Sequence, residues 1–337
     1  MRMSMTICKQ TSPMLHIPTS GIDMKGMCRW PQKEKVVVVM GATGTGKSRL
    51  SIDLATRYPA EIVNSDKMQV YQGLDIVTNK ITEDERCGVP HHLLGVVDPT
   101  KDVSATTFCT MASHAMNSIV SRGQLPIIVG GSNSFIEVLI DDKEHEFRSK
   151  YECCFLWVDV SMPVLNSFVS HRVDRMVERG MINEVRNIFN ENADYSRGIR
   201  RAIGVPEFDH YFRAESLISD KETRARLLEE AINAIKINTS KLACRQWEKI
   251  YRLKSLKGWK IHRLDATDVF RKRGREADEA WENLVAGPST EIVSQFLYNF
   301  HPVVYSNLMG MRAVAAAATH YMEHDAGLVP NWMYTES

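Results

Sequence analysis

Residues 41–48 read Gly41-Ala42-Thr43-Gly44-Thr45-Gly46-Lys47-Ser48, a complete G-x-x-x-x-G-K-[ST] phosphate loop. Val36-Val37-Val38-Val39-Met40 stands before it, the kind of all-apolar run that a strand buried on both faces uses. Arg49-Leu50-Ser51-Ile52-Asp53-Leu54-Ala55 follows and can continue as a helix. Strand, loop and helix in that order are the context this motif requires. Loop amides and the helix N-terminus then converge on one spot, where Lys47 adds a full charge. The chain is therefore expected to hold a polyphosphate, with Ser48 helping to bind Mg²⁺. The loop leaves open whether that phosphate is transferred, hydrolysed or expelled as a leaving group.

The surrounding pattern sets the fold class. Further strands are expected over 61–65, over 125–129 (stopped by Gly130-Gly131) and over 154–158 (ended by Asp159), with helices over 106–122 and 135–140. Strands alternating with helices imply right-handed crossovers and a parallel sheet flanked by helices, the α/β class of the P-loop NTPases. Ligands of such sheets lie at the C-terminal strand ends. The loop, Asp66, Gly130-Gly131 and Asp159 all fall there, so they can face one cleft.

After residue 160 the periodicity turns helical, over 163–179, 182–189 and a long 221–253. One more strand is expected over 259–265, then helices over 276–284 and 290–298. The expected organisation is a leader over 1–34, a P-loop α/β domain over 35–160, a mainly helical domain over 161–300 closing over the cleft, and a tail over 301–337. No function is read for the tail.

Composition narrows the class. Across 337 residues the net charge is +1, so no global field favours nucleic acid or an anionic membrane. No apolar run approaches the roughly 18–20 residues that span a bilayer. The cysteines, Cys8, Cys28, Cys87, Cys109, Cys153, Cys154 and Cys244, form no C-x-x-C pair, which argues against zinc and a disulfide framework. The first 34 residues are basic, rich in Ser and Thr, poor in acids and without a continuous apolar core. That is the composition of an organelle transit peptide, or of a plain basic leader.

Several side chains can carry chemistry. Asp66, one strand from the phosphate loop, can ligate Mg²⁺ through water, accept a proton from a nucleophile, or cap a helix. Ser65, Thr78 and Lys80 lie on the connections after the second strand and can line the cleft. His91 and His92, on the same connections, are expected to pack as loop residues. Gly131, Ser132 and Asn133 offer a close backbone approach and hydrogen bonds, or a cap. Arg172 and Arg175 share a helix face. Lys241 and Arg245 share another, and a single surface arginine is usually just solvated.

Taken together, these strings resemble the isopentenyltransferases. The resemblance is carried by Gly41–Ser48, Asn64-Ser65-Asp66-Lys67-Met68-Gln69-Val70-Tyr71, Gly73-Leu74-Asp75-Ile76-Val77-Thr78-Asn79-Lys80 and Gly88-Val89-Pro90-His91-His92-Leu93-Leu94. Gly123–Asn133, Gly198–Glu207 and Cys244-Arg245-Gln246 extend it, so that it covers about 35–253. The resemblance implies that the loop holds the diphosphate of dimethylallyl diphosphate and that the acceptor is the N6 amine of an adenine. Asp66 matches the family's catalytic aspartate. Thr43, Lys47, the loop amides, Mg²⁺ on Ser48 and, as the candidate arginine, Arg245 would stabilise the departing diphosphate.

The family modifies adenine either in tRNA or in free nucleotides. Lys67-Met68 stands where the tRNA branch typically has Ser-Arg, and Gly204-Val205-Pro206-Glu207 where it has Gly-Tyr-Lys-Glu. Both departures favour the plant nucleotide branch, whose members make cytokinins and generally use ATP or ADP more readily than AMP. A monomer, no nucleic-acid or membrane partner, and a plastid location (with cytoplasm as the alternative) are expected. A tRNA dimethylallyltransferase and a small-molecule P-loop kinase are the competing readings.

Overall fold

The computed structural model describes residues 33–141, 146–215 and 220–298. The expected leader and tail lie almost wholly outside these residues.

Six strands form one parallel sheet: β1 (Glu34–Met40), β2 (Ala60–Asn64), β3 (His91–His92), β4 (Leu125–Val129), β5 (Tyr151–Asp159) and β6 (Ile261–Asp265). Their order is β3-β2-β4-β1-β5-β6. The strand that feeds the phosphate loop is therefore interior, flanked by β4 and β5. Residues 36–40 of β1 are fully buried. Their alternation divides them between two apolar layers: Val36, Val38 and Met40 enter one, Val37 and Val39 the other. A continuous apolar run is what such double-sided burial demands.

The helices are α1 (Lys47–Arg57), α2 (Ala105–Ser121), α3 (Asn133–Asp141), α4 (Phe147–Lys150), α5 (Met162–Glu178), α6 (Met181–Arg186), α7 (Asp209–Glu215), α8 (Lys221–Ser255), α9 (Gly274–Trp281) and α10 (Gly287–Tyr298). Two of the starts have a capping side chain. Ser104 caps α2 by accepting from the Thr107 amide at 3.0 Å. Asp220 caps α8 by accepting from the Glu222 and Thr223 amides. The buried residues of α8 are Leu227, Ala231, Ile235, Thr239, Ala243, Gln246, Ile250 and Leu253. They recur every three or four positions, the stripe of a helix packed along one side. Gln246 is a polar residue in that stripe, and it has a task described below.

One expectation changes. His91 and His92 were expected in a loop, but they form the edge strand β3, paired with Ile62 and Val63. His92 Nε2 is 2.6 Å from Glu61 Oε2, which also receives Arg122, so partners on neighbouring elements pin the pair to the sheet. The strand expected over 259–265 is β6, and it pairs in parallel with β5. The chain thus returns to the sheet after the long helix. Residues from both segments expected as separate domains contribute strands to it.

Candidate active site

The loops after β1, β2 and β4 meet at one end of the sheet. Glycine permits the approach. A Cβ on Gly130 would lie 2.3 Å from Ser65 Oγ, and one on Gly131 would lie 2.4 Å from Gln246 Nε2 and 3.7 Å from Asp66 Oδ2. Within the phosphate loop Gly44 and Gly46 have φ of +86° and +92°, a region that side chains disfavour. Helix α1 starts at Lys47 with no side-chain cap. Its first-turn amides are thus left to a ligand, the arrangement of a helix-terminal anion site.

Cations gather at this loop. Lys47 Nζ donates to the Ala42 carbonyl at 2.6 Å. Burial pushes its pKa down to about 8, against the attraction of Asp66 and with the help of repulsion from Arg172. Arg172 of α5 donates to Thr43 Oγ1 at 2.9 Å. Burial, and then neighbouring Arg175, pushes Arg172 down to about 10, while Asp66 opposes the shift. Arg172 Nε is buried without a protein partner among the described residues. Two partly desolvated cations and one carboxylate at the mouth of an amide-lined loop leave a net positive charge suited to an anion.

Asp66 is half-buried. Its amide donates to Asn64 Oδ1 at 3.2 Å, and its Oδ1 accepts from the Met68 amide at 3.0 Å. The carboxylate is thereby oriented at the end of β2, beside Gly131. Ser132 Oγ accepts from the Lys67 amide at 2.8 Å, which ties the β4 loop to the β2 loop. Asn133 Nδ2 donates to the Gln246 carbonyl at 3.1 Å, and its Oδ1 is buried without a protein partner among the described residues. Ser65 Oγ is likewise buried and without such a partner.

Other expected residues are placed elsewhere. Arg245 is exposed and lines an open groove of about 580 Å³ with Ser170, Lys236, Lys241 and Glu248. It precedes Gln246, and successive helical residues point about 100° apart. Gln246 faces the loop, and among the described hydrogen bonds the guanidinium that reaches the loop is that of Arg172. Thr78 Oγ1 donates to Leu74 O at 2.7 Å, and Lys80 pairs with Asp75 at 2.8 Å. These two side chains close their own turn, and none of their described hydrogen bonds reaches the phosphate loop. Asp159 is held by Arg263 at 2.7 Å, joining β5 to β6.

Sequence reasoning named Arg172 only as one of several arginines, each more often solvated, and gave Gln246 no role of its own. Gln246 had a signal, a polar side chain at a core position of the long helix. Arg172 had only its spacing from Arg175, which cannot say which arginine turns inward.

The Mg²⁺ expectation can be tested against the donors present. Among the described residues no cluster of three or more His, Cys, Asp or Glu could hold an ion. Ser48 is exposed at the first turn of α1. One hydroxyl without a carboxylate cage fits Mg²⁺ carried mainly by substrate phosphate oxygens and water.

A profile described as IPP transferase matches residues 69–149 and 141–250. Adenylate isopentenyltransferase 3, chloroplastic, of Arabidopsis thaliana is 57% identical over 94% of this chain and 96% of its own length. The chain belongs to the isopentenyltransferase family. The mitochondrial adenylate isopentenyltransferase 7 of Arabidopsis thaliana is 53% identical over 89% of this chain and 91% of its own. The adenylate isopentenyltransferase of Humulus lupulus is 48% identical over 77% and 89%. Among solved structures, a eukaryotic dimethylallyltransferase acting on tRNA matches with a TM-score of 0.66 and 25% identity, covering 80% of this chain and 81% of that one. The full-length tRNA isopentenylpyrophosphate transferase of Bacillus halodurans matches with a TM-score of 0.59 and 28% identity, covering 78% and 99%.

Proposed function

We propose that this isopentenyltransferase transfers the dimethylallyl group of dimethylallyl diphosphate to N6 of the adenine in a free nucleotide, ATP or ADP before AMP. The observation that carries the reading is the meeting of Lys47, Arg172 and Asp66 at the loop. The adenine amine is a poor nucleophile, because its lone pair is delocalised into the ring. Asp66 accepts a hydrogen bond from it and takes its proton as the new N–C bond forms. The C–O bond to diphosphate breaks, and negative charge grows on the bridging oxygen. Loop amides, Lys47, Arg172 and the Thr43 hydroxyl meet that charge without having to reorganise. Thr43 Oγ1 accepts from Arg172 and keeps its own proton for donation.

Mg²⁺, when bound, neutralises diphosphate charge, with Ser48 as its protein ligand. Ser65, Gly131, Ser132 and Asn133 stand beside Asp66 and are the acceptor-side candidates. The free-nucleotide acceptor is supported by relatives named for adenylate at far higher identity than the tRNA-acting structures. A plastid location is supported by the acid-poor leader and by relatives named chloroplastic, although another is named mitochondrial. Fusion of residues 1–34 to a fluorescent protein in plant cells tests it, and a signal outside plastids would contradict it. For the reaction, product analysis with AMP, ADP, ATP and unmodified tRNA as separate acceptors decides.

A further inference from the structure

The phosphate loop rests on a residue that none of the site assignments includes. Trp281, at the end of α9, is 1% exposed. A Cβ on Gly46 would lie 2.8 Å from both Cη2 and Cζ3 of its indole, so the ring lies directly against the loop's last glycine. Gly46 immediately precedes Lys47. The indole Nε1 donates to Asp53 Oδ2 in α1 at 2.7 Å. Arg49 lies over the ring with its guanidinium 4.8 Å from the centroid, and pairs with Asp278 at 2.8 Å.

The same segment grips α1 further along. Glu282 accepts both Arg57 Nη2 contacts, at 2.8 and 3.0 Å. Tyr58 donates to the Thr290 carbonyl at 2.8 Å. Between α9 and α10, residues Glu282–Ala286 form a π-helical turn. Gly287 admits that turn, since a Cβ there would meet the Glu282 carbonyl at 2.8 Å. Such turns inside helices are often found at functional sites. The segment Gly274–Tyr298 thus braces the underside of the loop and of its helix, and Trp281 is its contact with the loop.

We propose that Trp281 is a positioning residue for the donor, holding Gly46 and the first turn of α1 in the shape that receives a diphosphate. The proposal rests on the donor assignment above. It touches no substrate and acts through the loop backbone, so its effect belongs to the donor and not to the acceptor.

The test compares W281A and W281F with the unaltered full chain. Binding of inorganic diphosphate with Mg²⁺ is followed by calorimetry. KM is measured separately for dimethylallyl diphosphate and for ADP. W281A should weaken diphosphate binding and raise the donor KM on the order of tenfold, leaving the ADP KM within about twofold. W281F keeps a ring against Gly46 and should recover most of the loss. A W281A protein of normal circular dichroism that binds diphosphate like the unaltered chain would overturn the proposal. So would equal rises in both KM values, or a W281F no better than W281A. If W281A does not fold, W281L is read by the same criteria. Weakened diphosphate binding without prenyl product from any protein, the unaltered chain included, would leave the positioning role standing and remove the reaction instead.

Discussion

Gln246 Oε1 lies 2.6 Å from the Thr43 amide, so a side chain of α8 holds a phosphate loop 203 residues earlier in the chain. The same amide group donates to Gly131 O at 2.9 Å, and the Gln246 carbonyl accepts from Asn133. One buried residue thereby fixes the loops after β1 and β4 relative to each other. Gln246→Ala leaves the Gly131 carbonyl without this donor and lets both loops drift. We expect kcat/KM to fall by about ten- to a hundredfold, with a lower Tm. Steady-state kinetics and thermal unfolding check both, and an unchanged kcat/KM would remove Gln246 from the site.

Asp66→Asn keeps the shape and the hydrogen bond from Met68 but loses the base. Turnover should fall by about a hundredfold or more while the donor KM stays near normal. Single-turnover prenyl transfer measures the loss. Survival of the rate would reassign the proton acceptor.

The two arginine candidates separate cleanly. Arg172 contacts the loop through Thr43, whereas Arg245 is exposed in the outer groove. Arg172→Gln should raise the donor KM by roughly tenfold or more, and Arg245→Gln should have the smaller effect on it. The reverse order would restore Arg245 as the donor's arginine.

Lys47 links the site to pH. Its folded pKa of about 8 lies below its ordinary 10.5. Below pH 8 it is charged in the free enzyme, and above that it loses the proton that attracts diphosphate. The donor kcat/KM should therefore be flat up to about pH 7.5 and decline above pH 8, approaching tenfold per unit. Stability runs the other way. Between pH 8 and 10.5 the unfolded chain binds more protons than the folded one, so the cost of the charged, desolvated Lys47 is complete below pH 8 and disappears as pH rises through that window. Lys47→Met should accordingly raise the Tm of the ligand-free protein at pH 7 while impairing donor binding. A lowered Tm would contradict the desolvation argument.

Glu137 of α3 supplies the acid-side counterpart. Burial alone would raise its pKa, but Lys257, Arg252 and Lys249 outweigh burial and hold it down at about 2. The stability this confers is complete above about pH 4.5 and is lost as pH falls toward 2. Glu137→Gln should lower Tm at pH 7 and flatten the acid-unfolding profile over that window. An unaltered profile would show the cluster to be only a solvated surface pairing.

The legible parts of this molecule were those with local causes. The strand before the loop is read from five consecutive apolar residues, Val36 to Met40, and the loop from its glycines and lysine. The end of α2 is read from Gly123, whose φ is +69°. The turn that carries Asp66 was placed by the end of the strand before it. What the chain hid depends on contacts between distant segments. The face of α5 that turns inward is chosen by Val169 and Leu165 packing at Gly44, and it carries Arg172 to the loop. Helix α8 brings Gln246 to the loop because the rest of its buried stripe sets its rotation. The strand β3 is only two residues long, and no periodicity can register in so short a segment.

The central claim is a prenyl transfer to the adenine of a free nucleotide. The most direct measurement incubates the full chain with labelled dimethylallyl diphosphate, Mg²⁺ and, separately, AMP, ADP, ATP or unmodified tRNA, and follows the label by chromatography. Label on N6 of a mononucleotide, strongest with ATP or ADP and abolished by Asp66→Asn, is the predicted result. Label on tRNA alone, or on no acceptor, would contradict it.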